Sequence, residues 1–519
     1  MSDSWRIDVT DCGAIGDGAT ISTVAIQKAI DDLGGKGGGT VHVPPGTYRT
    51  GTILLRSGIT LDLHPAARLV GSPDLADYRT GDWGQHMDRT PWHLIVADHV
   101  RDVKICGGGT IDGNGPAFWE PCRPGPGART GDAVPSGAFG GLDAIAAVPA
   151  RESDDAKAVL TWIKANHGKR PSPMVEITGC ENVRIQDVQI TNSAGWLLHL
   201  HNCRFVWVRG VKLTANLMGP NNDGFDITGC HDVMVSDCDL SCCDDAICLK
   251  TTPDSMSCER VTVTNCVIRT RCVALKFGCA ESFHDFRQVT FSNCVVHGSS
   301  RAVGIYSLEG GTVEDVTISN IVCDTKNPFM ANRPIHLDCR RMKPESKLGK
   351  IRNVTISNVV ARTDGRILIT GQPDSPIENL VLRDIQMIYP TIDDPAIACR
   401  TLGGGQFSNA NPDAREARGV VVVENVDNFV LDNLLVTWPK TVADGRIECP
   451  DDWRFPFKAA NGSTELFQRD RFNTERIPDF HVLWGRGLRG GYVFAPLARP
   501  PRADLKPLSL TGCSVRVVD

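Results

Sequence analysis

Between Gly219 and Lys250 the chain reads GPNNDGFDITGCHDVMVSDCDLSCCDDAICLK, with aspartates at 223, 226, 232, 237, 239, 244 and 245. Carboxylates at this density can hold a cation, carry out acid–base chemistry, or turn the chain. Asp226, Asp232, Asp237 and Asp239 fall at the turn positions of a repeating strand pattern, where aspartate is a common residue. Asp244 and Asp245 do not fit that reading. Adjacent side chains on a regular strand face opposite ways, so a working pair requires a turn or bulge at this point. A calcium site would need more oxygen ligands than the pattern supplies. No metal or cofactor is expected.

Other residues stand in positions to assist. AICLK (246–250) and VALK (273–276) recur one repeat apart, which would set Lys250 above Lys276. Two ammonium groups at about one strand spacing repel unless an anion lies between them. The Asp244/Asp245 pair and a substrate carboxylate are both candidates. In GWLLHLHNC, His199 and His201 share one side of their strand, and His199 is expected one coil below Asp223. Trp196 is either a stacking platform for a ligand or a packing residue.

The elements that position these residues come from a repeat. ENVRIQDVQI (181–190), HDVMVSDCDL (231–240), ERVTVTNCVI (259–268), VEDVTISNIVC (313–323) and IRNVTISNVV (351–360) are versions of one phrase. Val233, Val261 and Val289 lie 28 residues apart, and Val316 follows after 27. Each unit holds short alternating strands between Asn, Asp or Gly turns, with no helix-length segment. Such strands bury their apolar face only by stacking. The period and strand content predict an all-β fold, a right-handed parallel β-helix. A leucine-rich repeat signature is absent, and propeller blades need longer units.

Residues 20–33 read as an amphipathic helix that would cap the open first coil. The expected organisation is one β-helix domain over 1–440, with insertions at about 114–172 and 391–418. The first insertion includes a short helix, ESDDAKAVLTWIKANHGK. After about 440 the repeat is lost, and 441–519 read as a C-terminal extension packing on the solenoid.

Composition excludes several classes of function. The 519 residues include 61 acidic and 55 basic side chains, a net charge of −6, so no nucleic-acid partner is expected. No apolar run approaches the roughly 18 residues of a membrane span. The start, MSDSWRIDVTDCG, shows no secretion signal, which gives a cytoplasmic expectation, or a secreted one where a leader is removed. The 20 cysteines form no zinc spacing, and most share one phase of the repeat, as buried thiols would.

DCGAIGDGATISTVAIQKAID with GGGTVHVPPGTY resembles the N-terminal segment of pectinase-type β-helix proteins. ICGGGTIDGNG, ITNSAGWLLHLHNC, NNDGFDI and CCDDAICLK resemble glycoside hydrolase family 28, the polygalacturonases and rhamnogalacturonases. The resemblance covers roughly residues 8–390 and implies an inverting glycoside hydrolase with three catalytic aspartates. It assigns Asp244 as general acid and Asp223 with Asp245 as the water-activating pair, with Asn222 of the first motif beside them. An inverting enzyme needs one protonated carboxyl and one carboxylate holding water on the opposite ring face. Crowded like charges supply the protonated form.

Two motifs of that family are missing. Val273 stands where its Gly-His-Gly histidine belongs, and Tyr306 and Leu308 stand at its Arg-Ile-Lys. The resemblance implies an oligosaccharide partner; Lys250, Lys276, His199, Trp196, Asn222 and Tyr306 are the residues expected to contact it. The two insertions with the C-terminal segment, by walling one end of the groove into a pocket, would make the action exo. A polysaccharide lyase or uronate epimerase on the same fold, or a non-catalytic carbohydrate-binding solenoid, is the alternative.

Overall fold

The computed structural model describes residues 5–83, 89–122, 161–164, 169–217, 219–325, 332–363, 365–389, 414, 417–438, 454–458, 464–468, 480–501 and 503–518. It divides into two compact units, one of Met1–Glu120 with Trp162–Ile268, the other of Pro121–Thr161 with Arg269–Asp519. Both are built as right-handed parallel β-helix, the hand that parallel crossovers between right-twisted strands require.

In the first unit the coil Val175–Thr178, Glu181–Gln186, Gln189–Thr191 is followed by Leu198–His201, Arg204–Arg209, Lys212–Thr214. Each strand pairs in parallel with its counterpart one coil on. Val175, Leu198, Phe225 and Ile247 are successive register partners, as are Ile177, Leu200, Ile227 and Leu249. All eight are buried. The 28-residue spacing read in the sequence is this register, since Val233 pairs with Val261. The alternation continues on the outward side, where Glu176, His199 and Asp226 form one column and Thr178, His201, Thr228 and Lys250 the next. That outward column is polar yet buried.

The turns explain the Asn and Asp content. Asn182, Asp187, Asp232, Asp237 and Asn265 all hold positive φ between 51° and 58°. Asn and Asp tolerate this left-handed region better than other side chains. The helix Thr23–Gly34 buries Ile26, Ala29, Ile30 and Leu33, one face at helical spacing. Gln27 ties it to the first coils through both atoms of its amide, bonding the carbonyl and the N–H of Leu54 at 2.9 and 2.8 Å.

The second unit repeats the plan with longer strands. Val289, Val316, Val354, Leu380 and Phe429 form one register column, and Phe277, Ile305, Leu337, Ile369 and Val423 another. Asn353, Asn379 and Asn428 are bonded amide to amide up the stack at 2.8 and 2.9 Å.

Two expectations are corrected. Coil pairing does not end near 440, because His481–Phe494 pairs in register with the Gly419–Thr437 strand, and Leu508–Thr511 and Arg516–Val518 pair on it in turn. The repeat phrase is gone there, but the backbone ladder needs only extended strands. Thr161–Lys164, expected in a helix, is a strand, in keeping with its β-branched and aromatic residues. The rest of that proposed helix up to 168, apart from 161–164, and most of 391–418 lie outside the described residues.

Candidate active site

Asp223 sits in the segment that leads into the Phe225–Thr228 strand. Asp244 and Asp245 occupy the bend between Asp239–Cys242 and Ile247–Thr251. The bend is the break in strand alternation that a working pair requires. The two segments run side by side: the Gly224 N–H donates to the Asp245 carbonyl at 2.8 Å, and the Asp244 N–H to the Asn222 carbonyl at 3.3 Å. This closeness needs a glycine, because a Cβ on Gly224 would lie 2.4 Å from the Ala246 carbonyl oxygen. The Asp245 N–H also donates to Asp244 Oδ1 at 2.9 Å, which fixes that carboxylate.

Asn222 holds the Asp223 segment down. Its amide donates to the carbonyls of Ser193 and Gly195 on the preceding coil, at 3.1 and 3.0 Å. Arg170, buried in the same region, donates to the carbonyls of Ala194 and Pro220, both at 2.7 Å. Asn222, expected at the substrate, is therefore engaged with backbone. Arg170 was not legible in the sequence.

Asp223, Asp244 and Asp245 are 3%, 5% and 1% exposed. Burial pushes the Asp223 carboxyl well above the ordinary carboxylate range, the Lys250 ammonium opposes the rise, and Asp244, Asp226 and Asp245 add to it. Lys250 Nζ lies 3.2 Å from Asp223 Oδ2 and 2.8 Å from Asp226 Oδ1. Its ammonium also stands over the Trp196 ring, 3.5 Å from the centroid. Trp196 is thus a platform for a protein cation.

Asp226 is not a turn residue as expected. It is fully buried inside a strand and ion-paired with Lys250. Asp239 opens the strand Asp239–Cys242 and faces solvent. Asp232 and Asp237 do turn the chain.

His199 is the register partner of Asp226, not of the Asp223 position. Both its ring nitrogens are engaged, Nδ1 with Glu176 Oε2 and Nε2 with Thr228 Oγ1, each at 2.8 Å. Burial, with Arg89 and Lys250 adding to it, holds the imidazole well below its ordinary range, so it is neutral. Arg89 donates to the other Glu176 oxygen at 3.0 Å. His201 stacks on His199 at 5.7 Å and is pushed down to about 4, chiefly by burial. Asp226, Glu176 and Arg89 are the members of this network that sequence reading missed.

Lys276 and Tyr306 belong to the second unit, where both are buried. The Tyr306 hydroxyl lies 3.1 Å from His336 Nδ1, and its ring covers Gly304, the register partner of Lys276. Burial raises the Tyr306 phenol above its ordinary range.

Residues 160–403 match the family model described as Glycosyl hydrolases family 28, and residues 6–67 one described as Rhamnogalacturonase A/epimerase, pectate lyase-like. An exo-poly-alpha-D-galacturonosidase of Dickeya chrysanthemi is 30% identical over 262 residues, 46% of this chain and 41% of that protein. A probable polygalacturonase of Vitis vinifera is 27% identical over 253 residues, 47% of this chain and 43% of that protein. The chain thus spans less than half the length of these two relatives. The crystal structure of an exopolygalacturonase from Thermotoga maritima superposes with a TM-score of 0.61 at 20% identity, covering 83% of this chain and 91% of that one. That likeness supports the β-helix fold. Residues 160–403, just under half of the chain, hold Asp223, Asp244 and Asp245 together with Glu176, His199 and Lys250, and are similar to the glycosyl hydrolases family 28.

Proposed function

We propose that the chain is an inverting glycoside hydrolase that removes a terminal sugar from pectin-derived or related plant oligosaccharides. The observation that carries the reading is the gathering of Asp223, Asp244 and Asp245 in one buried site, held by backbone contacts between two neighbouring coils. Buried carboxyls this crowded do not all ionise, and the proton they retain is what a general acid donates. The nearby Lys250 favours an ionised Asp223. In this reading Asp244 delivers the proton to the leaving oxygen, while Asp223 with Asp245 orients and deprotonates the attacking water.

Attack at a chain end is supported by how little of the site is exposed, and by the exo-acting relative named above. The test is incubation with homogeneous galacturonan and rhamnogalacturonan oligosaccharides, with product size and anomeric configuration followed from the first turnovers. A single released sugar with inverted configuration is expected. Retention would overturn the mechanism, and an early spread of intermediate lengths would overturn exo action. Near-ultraviolet absorbance from a new double bond would identify a lyase instead.

A further inference from the structure

We propose that Lys250 is a positioning residue of the reaction: clamped between Asp226 and the Trp196 ring, its ammonium holds Asp223 in its working place. The inference rests on the hydrolase reading above, in which Asp223 handles the water. It departs from the expectation that Lys250 touches substrate.

The geometry gives the ammonium a fixed seat. Lys250 lies in the Ile247–Thr251 strand, where its register partner is Thr228, while Asp226 pairs with Cys248. The side chain must therefore reach back along its own strand to meet Asp226 at 2.8 Å and Asp223 at 3.2 Å. A flexible four-carbon stem can do this, and the rigid guanidinium fork of arginine would meet the same two carboxylates differently. The Trp196 face closes the third side at 3.5 Å, a cation–π contact. The lysine side chain is 3% exposed, so water does not compete for it.

The charges around Asp223 then have opposite effects. Facing it are Lys250, Asp226, Asp244 and Asp245. His199, on the preceding coil, is neutral and adds no charge. Lys250 favours ionised Asp223, and Asp226 disfavours it while anchoring the lysine. Asp226 thus sets the position of the ammonium, and the ammonium sets the proton affinity of Asp223.

Two substitutions consequently move one quantity in opposite directions. The acidic limb of the kcat/KM profile reports the free enzyme's base. Lys250→Met removes the favourable charge, so that limb should move to higher pH by about 1–3 units, with KM unchanged. Asp226→Asn removes an unfavourable charge, while its amide oxygen can still accept from the ammonium and keep it seated, so the limb should move to lower pH. Lys250→Arg keeps the charge and should restore most of the lost pH position even where turnover falls. A residue that merely supports the fold would not produce shifts of opposite sign.

The same shifts can be read without substrate. The Asp223 carboxyl, labelled with carbon-13 and identified by its loss in Asp223→Asn, should titrate higher in Lys250→Met and lower in Asp226→Asn. If Lys250→Met does not fold, Asp226→Asn and Lys250→Arg carry the test. A raised KM with an unmoved limb in Lys250→Met would make Lys250 a substrate contact and overturn the inference. Shifts of one sign in both variants would also overturn it. An Asp223→Asn enzyme of full activity would overturn the hydrolase reading instead, and the carboxyl titration separates the two failures.

Discussion

Nδ1 of His199 lies 2.8 Å from a carboxylate oxygen of Glu176 on the preceding coil, and neither side chain is exposed. The other Glu176 oxygen takes the Arg89 guanidinium, whose side chain is 1% exposed. One carboxylate therefore neutralises a buried cation and fixes the imidazole that is the register partner of Asp226. Removing one partner of a buried pair leaves an uncompensated charge.

Glu176→Ala should destabilise the protein by about 3–5 kcal/mol, the usual cost of orphaning a buried ion. Glu176→Gln keeps one acceptor oxygen, for Arg89 or for His199, but loses the second acceptor and the charge, and should cost less than the alanine. Denaturant midpoints of the two variants check the order. Equal stability of Glu176→Ala and wild type would mean that Arg89 is not held by this carboxylate.

His201 gives a pH dependence of definite sign. Its imidazole is pushed from 6.5 down to about 4, chiefly by burial, so the unfolded chain binds a proton more readily than the folded one. The contribution to stability is whole above 6.5 and is lost as pH falls toward about 4. The loss from this group is about 3 kcal/mol at the low end. His201→Asn should flatten the fall in melting temperature over that window. An equally steep fall in the variant would locate the dependence elsewhere.

How much of this was legible in the sequence depends on what each residue answers to. The valine register was legible because the interior column admits little besides small apolar side chains at one spacing. Asp232 and Asp237 were legible as turn residues because positive φ is a local property of the backbone. Asp226 was not: its place in the repeat reads as a turn position, and only the strand pairing shows it buried against Lys250. Glu176 in VEIT reads as the exposed half of an alternating strand, and nothing local shows that the outward face is covered. Arg89 and Arg170 reach the site from outside the repeat, so no periodicity pointed to them. Asp223, Asp244 and Asp245 were singled out by motif order and spacing, not by periodicity.

The cysteine column gives a stability prediction. Cys180, Cys203, Cys230 and Cys258 are buried free thiols on successive coils. A reductant should therefore leave the melting temperature unchanged. Loss of a native disulfide would typically cost about 2–5 kcal/mol. A large fall under reductant would mean that disulfides contribute to the native state.

Gly224 should not tolerate a side chain. The Cβ of Gly224→Ala would meet the backbone oxygen of Ala246 at 2.4 Å, and backbone cannot swing aside as a side chain can. Overpacking of this kind costs about 1–3 kcal/mol. It should also part the Asp223 and Asp245 segments, so turnover should fall more than stability alone explains. Thermal melts and kcat on the same preparations check this, and an unaffected kcat would mean that the spacing of the two segments is not critical.

Asp223→Asn and Asp244→Asn test the catalytic assignment most directly. Asparagine keeps the shape of each side chain. In Asp244→Asn the side-chain carbonyl oxygen can still accept from the Asp245 N–H, as Asp244 Oδ1 does at 2.9 Å. Lys250 retains Asp226 when Asp223 loses its charge. Removing a carboxylate from a crowded buried group relieves repulsion, so neither variant should be less stable by melting temperature. Turnover, in contrast, should fall about 10²–10⁴-fold in each, the usual contribution of a general acid or base. Because acid and base act on one transition state, their effects should not multiply. The double variant should therefore be little slower than the worse of the two single ones. Near-full activity in either single variant would remove that aspartate from the chemistry. Strict multiplication in the double variant would mean that the two carboxyls act in separate steps.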